Sequence, residues 1–275
     1  MKLLAFDTST DAMSIAVSRD DGACAGLWQQ QGAGGAQASA GLIAGVLELM
    51  RHSGLQLREL DAICFGCGPG SFTGLRTACA VAQGLAFGAD VPVLPVNSLL
   101  AVAEEARHTE LAGLQSVQLS ALLDARMDEI YTAHFAYAQG QWTELQAAHL
   151  LRPEAVALPD SALLRAAAGN VFTVYGARLS GLPAAATATA ADGASAGAAT
   201  AGDAFGLPVP AQAAPRIHAL PQATALLRLA PQLLARGLAV PAAQALPTYI
   251  RDKVAQTTAE RAAIKAAQAA QQASV

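Results

Sequence analysis

Apolar runs along this chain alternate between strand-like and helix-like lengths, in an order that occurs twice. Residues 3 to 6 are apolar and lead into the polar turn DTSTD, after which AMSIAVS alternates and ACAGLWQ, beyond the break at RDDG, is apolar again. That pattern predicts a meander of three strands. AQASAGLIAGVLELMRH, residues 36 to 52, is long and apolar enough for a helix, which Ser53 and Gly54 close. A short buried strand (LDAICFG), a helix over 72 to 88, a strand (VPVLPV) and a helix over 98 to 108 follow. The first lobe, residues 1 to 108, therefore reads βββαβαβα.

A similar order then restarts. SVQLSALLDAR, DEIYTAHFAYA and QWTELQAAHLL predict three more strands. RPEAVALPDSALLRAAAG reads as a helix with Pro153 near its start, NVFTVYG as a strand, and LPQATALLRLAPQLLARG as the last strong helix. Two βββα-type halves without visible sequence repetition suggest a duplicated fold, the second lobe spanning 109 to 250. Within it, residues 182 to 215 are mostly Ala, Gly, Thr and Pro, too poor in large side chains to order a core, and predict a flexible insertion. Residues 251 to 275 form an Ala- and Gln-rich tail in which Thr257 and Glu260 could cap a marginal helix.

Composition narrows the classes. Hydrophobic residues make up 53% of the 275, ample for a core, while charged residues are only 14% and the net charge is −4, so no general basic field for gripping nucleic acid is present. No apolar run reaches the roughly 18 residues of a membrane span and the start lacks signal-peptide zoning, so a cytoplasmic protein without a membrane partner is expected. Cys24, Cys64, Cys67 and Cys79 sit among apolar neighbours and are expected to be buried thiols. No second ligand pair is spaced to turn the Cys64/Cys67 pair into a zinc site. His52, His108, His134, His149 and His218 include no pair four apart, so a helical metal pair is absent and no metal site is expected.

The stretch GCGPGSFTGLRTACAVAQGLAFG, residues 66 to 88, looks like a phosphate loop entering a helix, but no glycine pair closes on a lysine and the dinucleotide glycine spacing is missed. It also lacks a nucleophile elbow around Ser71. What it does predict is a tight turn at Gly68, Pro69 and Gly70, and Ser71 as N-cap of a helix starting at Phe72. Along that helix Gly74, Ala78, Ala82 and Ala86 make one small face, and apolar residues fill most of the rest. A helix apolar around most of its circumference needs covering on more than one side, by a partner or by a second domain of its own chain. Candidate chemistry lies elsewhere: Asp7 leaves a buried strand and is followed by Thr8, Ser9 and Thr10, a set that could meet magnesium and phosphates or simply satisfy a turn. Asp124 is its counterpart in the second half, but the turn after it carries Arg126, Met127 and Asp128 and is too crowded for close approach of a pyrophosphate. One reading is thus an interaction protein; the other is a small-molecule kinase or ATPase built on Asp7, Thr8, Ser9, Thr10 and Asp124.

LLAFDTSTDAMSIAV, GPGSFTGLRTACAVAQGLAFG, LLDARMDEIY and LPTYIRDKVA together resemble the bacterial TsaB (YeaZ) family of tRNA threonylcarbamoyladenosine biosynthesis proteins, over about residues 2 to 254. The resemblance implies an α/β, actin-like/Hsp70-like ATPase (ribonuclease H-like) fold of two duplicated lobes. It also implies a non-catalytic companion of TsaD, with TsaE as an ATP-hydrolysing third member, in transfer of threonylcarbamoyl from threonylcarbamoyl-AMP to the adenosine beside the anticodon of tRNAs reading codons that begin with A. The implied partner interface, with TsaD or in a homodimer, lies on the first-lobe helices: Gln37, Leu42, Val46, Ser71, Phe72, Thr73, Gly74, Leu75, Arg76, Ala78 and Ala82. The remaining expectations are a vestigial nucleotide cleft at Asp7, Thr8, Ser9, Thr10, Asp124 and Arg126, no cofactor unless ATP or ADP is held in the complex with partners, and only indirect contact with tRNA. Where the family often shows a His-Ser-type pair before the first helix, this chain reads GGAQAS.

Overall fold

The computed structural model describes residues 1–22, 25–161, 163–182 and 214–251. Most of the low-complexity insertion, nearly all of the tail with its Thr257/Glu260 cap, and Cys24 fall outside the described residues. The first sheet contains β1 (Lys2–Asp7), β2 (Ala12–Asp20), β3 (Ala25–Ala33), β4 (Ala62–Gly68) and β5 (Val93–Asn97), ordered β3-β2-β1-β4-β5. The meander β1 to β3 is antiparallel, while β4 joins β1, and β5 joins β4, in parallel. The second sheet contains β6 (Ser116–Arg126), β7 (Glu129–Ala138), β8 (Gln141–Leu151), β9 (Arg165–Gly169) and β10 (Arg216–His218), ordered β10-β9-β6-β7-β8. Strand for strand its directions repeat the first: β6, β7 and β8 are antiparallel, and β9 and β10 are parallel additions. Two lobes of duplicated topology with this strand order are the actin-like/Hsp70-like ATPase arrangement, a ribonuclease H-like sheet used twice.

Helices layer the sheets. Helices α1 (Ala38–Ser53) and α2 (Phe72–Ala89) cover the outer face of the first sheet, burying Leu42, Val46, Ala78 and Ala82 against Phe6, Ile15, Ile63 and Phe65. Helices α3 (Ser98–Glu110) and α5 (Ala223–Ala235) fill the space between the two sheets, where Leu99, Val102, Leu226 and Ala230 meet Ala5, Cys64, Leu119 and Ala121. Alanines on both sheets at this level let the helices approach closely. After α5 the chain returns to the first lobe: Val240 pairs with Val93, and Thr248 N–H donates to Cys67 C=O at 2.7 Å.

Two second-lobe expectations fail and effectively exchange places. The helix expected over 152 to 169 is a single 3-10 turn at Pro153–Ala155 followed by irregular chain, and its last five residues form β9. Pro159 interrupts any helix there, and the parallel partner β6 claims Arg165–Gly169 through a full register of pairs, overriding the helix preference of RAAAG. NVFTVYG, expected as a strand, instead contains the short helix α4 (Phe172–Tyr175), because the strand slot beside β6 is already filled. Strand β10 lies just past the low-complexity stretch and was not foreseen.

Candidate functional site

The loop after β1 and the start of α2 are built into one another. Ser71 caps α2 by accepting from Gly74 N–H, as its position predicts, and its own N–H donates to Ser9 C=O at 2.7 Å. Thr8 is fully buried and its hydroxyl donates to Gly74 C=O at 2.7 Å. A Cβ on Gly74 would lie 1.8 Å from the Thr8 carbonyl oxygen, and one on Gly66 would lie 1.7 Å from Asp7 Oδ2. Gly66, Gly70 and Gly74 therefore make room for the DTST loop, and Gly68 for the Thr248 carbonyl, rather than for a phosphate.

This packing alters the roles of the first two candidates. Asp7 is 1% exposed; its Oδ1 accepts from Ser9 N–H at 2.8 Å and from the Ser9 hydroxyl at 2.7 Å, and its Oδ2 accepts from the Ser98 hydroxyl at 3.3 Å. Asp7 and Thr8 thus lie beneath the cleft floor, not in it. Burial pushes the Asp7 carboxyl up from 3.8 to about 6, against the opposing hydrogen bonds from Ser9 and Ser98. A carboxyl whose pKa is raised by folding destabilises the native state when ionised, by about 3 kcal/mol here, and that cost disappears as pH falls through 6 to below 3.8. Asp7→Asn keeps the acceptor for Ser9 and removes the charge, so it should raise stability by about 2 kcal/mol at pH 7.5 and by almost nothing at pH 4. Urea unfolding at the two pH values checks this; an equal effect at both would mean that the charge is not the cause.

Above the floor, a cleft of about 410 Å³ runs between the lobes, lined by Ser9, Thr10, Gly70, Ser71, Asp124 and Arg126, among others. So four of the six expected cleft residues are brought together. The second-lobe wall is already engaged: Asp124 Oδ1 accepts from Arg126 N–H at 2.8 Å and from the Tyr175 hydroxyl at 2.9 Å, while Asp124 N–H donates to Asn170 Oδ1 at 2.9 Å. Burial first, and the Asp124 bond next, push the Tyr175 phenol up to about 12, so it remains a donor. Arg126, Met127 and Asp128 all adopt positive φ, near 60°, a left-handed turn made without glycine and therefore bulky, as the sequence implies. The Arg126 guanidinium reaches across the mouth to Asp11 in a solvent-exposed ion pair.

The other wall was not legible from motif counting. Tyr249 stacks on Phe72 with ring centroids 5.2 Å apart, Arg76 lies 3.7 Å over the Phe72 ring, and Arg76 Nε donates to the Tyr249 hydroxyl at 3.1 Å. Arg251 bonds to Glu129 and to the Arg126 carbonyl. Only the quoted LPTYIRDKVA block hinted at this segment, and it does not say that the chain folds back 160 residues or more to reach α2.

The expected partner face must also be redrawn. Leu42, Val46, Gly74, Leu75, Ala78 and Ala82 are buried within the chain's own core, so the small-residue seam meets the first sheet and the Thr8 loop, not a partner. Gln37, Phe72, Thr73 and Arg76 are exposed and Ser71 is half-buried, with Phe72 and Arg76 turned toward Tyr249 at the cleft. The outward face consists of other residues: Ile43 at 48% and Leu47 at 53% exposure on α1, and Phe87 at 84% on α2, with Ala40, Ala44, Ala80 and Gly84 between them along the two helices. Among the described residues no three His, Cys, Asp or Glu side chains group as metal ligands, Cys64, Cys67 and Cys79 are buried free thiols, and no helix is long and apolar enough to cross a membrane.

Comparison with known proteins places this architecture. A family model described as TsaD, tRNA N6-adenosine threonylcarbamoyltransferase, matches residues 37–259. The solved structure of YeaZ from Pseudomonas aeruginosa superposes with a TM-score of 0.69 at 34% identity, covering 90% of this chain and 99% of that one. The chain belongs to the TsaB (YeaZ) family. The tRNA threonylcarbamoyladenosine biosynthesis proteins TsaB of Haemophilus influenzae and Escherichia coli are 36% and 33% identical to it over 163 and 157 residues, 56% and 57% of this chain. Those matches span 65% and 64% of the two relatives, just under two thirds of their length. The YeaZ structure is thus matched along nearly its whole length, whereas the two TsaB relatives are matched over just under two thirds of theirs.

Proposed function

We propose that this TsaB-family chain is a non-catalytic, cytoplasmic scaffold for tRNA threonylcarbamoyladenosine modification. In this reading the outward faces of α1 and α2 bind a TsaD-type partner that transfers threonylcarbamoyl from threonylcarbamoyl-AMP to tRNA, with TsaE as a third member and tRNA met only through the assembly. The pathway rests on the names of the TsaB relatives and of the matching family model. The scaffold role is carried by one observation, the apolar stripe of Ile43, Leu47 and Phe87 on two neighbouring helices. Support against chemistry of its own comes from the candidate acids: Asp7 is spent on Ser9 and Ser98, and Asp124 on Tyr175 and Arg126. ATP or ADP then belongs to the partner complex.

Phe87→Glu and Leu47→Glu place a charge on the stripe without touching the core. Stability should change by no more than about 0.5 kcal/mol, whereas affinity for the TsaD-type partner should fall at least about tenfold. Threonylcarbamoyl transfer reconstituted with partner proteins should depend on the wild-type chain and fail with the double variant. Normal binding by both folded variants would move the interface elsewhere, and Mg-ATP turnover by the isolated chain would overturn the non-catalytic reading.

A further inference from the structure

The outer strands of the two sheets are guarded unequally. Strand β5 is closed by the returning chain, since Val93 and Val240 exchange both backbone hydrogen bonds. Strand β8 is broken twice in its register with β7 and carries Glu144, and β10 is three residues long and begins with Arg216. Irregularity, charge and shortness are the usual means of keeping an edge from pairing. Strand β3 has none of them. Its nine residues, AGLWQQQGA, contain no charge and no proline, and they pair with β2 without a register shift. Among the described residues no strand pairs with its far side.

The register fixes which backbone groups face outward. Asp20 and Met1 exchange backbone hydrogen bonds, so Asp20 points its N–H and C=O at β1, and Arg19 beside it points its own at β3. Arg19 is opposite Gly26, and at the other end of the pair Gly34 N–H donates to Asp11 C=O, which puts Gly26, Trp28, Gln30 and Gly32 on the β2 ladder. Ala25, Leu27, Gln29, Gln31 and Ala33 therefore turn their N–H and C=O to the open edge. From this we infer that β3 pairs antiparallel with β3 of a second copy of this chain, joining the two first-lobe sheets into one across a two-fold axis. With the axis at Gln29 all nine residues are used: Gln29 opposes its own copy, Leu27 opposes Gln31 and Ala25 opposes Ala33, so every outward group finds a partner and no like charges meet. A copy fits this edge better than an arbitrary peptide because β3 is complementary to itself in length, register and charge, and the two-fold closes the pair as a dimer. The flanking elements leave room. Trp28 folds back over Gly26 of its own strand, and α5 lies over β1, β2 and β4. Helix α1 lies across β2 and β3, so the two copies of α1 stand about 10 Å apart in the joined sheet, a packing distance rather than a clash.

Sedimentation equilibrium of the full chain tests the pairing. A dimer that dissociates on dilution through the micromolar range is expected. Gln29→Lys and Gln29→Glu, at an exposed position, each set like charges opposite one another across the axis and should weaken the dimer at least about tenfold while the thermal melt of the monomer stays unchanged. An equimolar mixture of the two variants should recover the dimer, because the opposed charges are then of opposite sign. Amide exchange gives an independent reading: Leu27, Gln29 and Gln31 should be protected only at concentrations where the dimer forms, whereas Trp28 and Gln30 are protected by β2 at any concentration. Phe87→Glu, on α2 and away from β3, should leave the dimer intact. A chain that is monomeric at about 100 µM, or a dimer that Phe87→Glu breaks and the Gln29 variants do not, overturns the inference. Fast exchange of Leu27, Gln29 and Gln31 within a dimer does the same.

Discussion

Ala78→Arg is expected to unfold the first lobe, not to detach a partner. Ala78 is fully buried on the face of α2 that packs against the first sheet, flanked one turn either way by Gly74 and Ala82, which are buried as well. An arginine there overfills a close-packed layer and forces a guanidinium into the apolar cluster that holds Ile63, Phe65, Val46 and Met50. Together these cost about 5 kcal/mol or more, comparable with the entire stability of an ordinary domain. The variant should be insoluble or melt without a cooperative transition, and in any soluble fraction amide exchange should be lost across β1, β4 and α2. A folded Ala78→Arg protein with a wild-type melt that merely fails to bind its partner would return the seam to the surface. Phe87→Glu serves as the paired control, since it adds charge to the same helix on its solvent side.

That contrast shows what the chain alone could tell. The periodicity of α2 located the helix, its Ser71 cap and its small-residue face, because those depend on local spacing. It could not tell which of two apolar sides meets the sheet. That choice is made by long-range fit: Thr8 and Ser9 dock on the small side, and Gly74 is small because the Thr8 carbonyl lies where its Cβ would be. The same limit explains the second lobe. The three-stranded meander β6 to β8 alternates clearly and was legible, but RAAAG becomes a strand only because β6 offers a parallel edge, information absent from the five residues themselves. At the cleft, Ser9, Thr10, Asp124 and Arg126 were found from strand ends, while Tyr249, Arg251 and Asn170 depend on chain returns that no motif encodes.

Glu104, which no motif marks, should prove among the most sensitive positions in the molecule. It is 3% exposed on α3, between the two lobes, and its carboxylate accepts from Arg107 Nε and Nη2 at 2.9 Å, from Arg228 Nε on α5 at 2.8 Å and from Trp142 Nε1 on β8 at 2.9 Å. Burial alone would raise its pKa, but the bonds from Arg107 and Trp142 and the two guanidinium charges outweigh it and hold the carboxyl below the usual 4.5. A carboxyl lowered by folding contributes stability above its unfolded value, and loses it as pH drops through the folded one. Glu104→Gln leaves Arg107 and Arg228 short of an anion; because Arg228 also bonds to Glu105 and is partly exposed, the cost should be about 3 kcal/mol at pH 7, or roughly 6–12 °C in melting temperature. The gap between wild type and variant should close as pH falls below 4.5, the opposite in sign to Asp7→Asn, whose advantage builds as pH rises from 3.8 to about 6 and is constant above that. Removing all three charges together, with Glu104→Met, Arg107→Leu and Arg228→Met, should recover most of the loss, because what destabilises Glu104→Gln is the stranded cations rather than the missing attraction. If that triple variant is no more stable than Glu104→Gln, the cluster holds the lobes together by its own net attraction, and the acid and alkaline limbs of the stability curve must be reassigned accordingly.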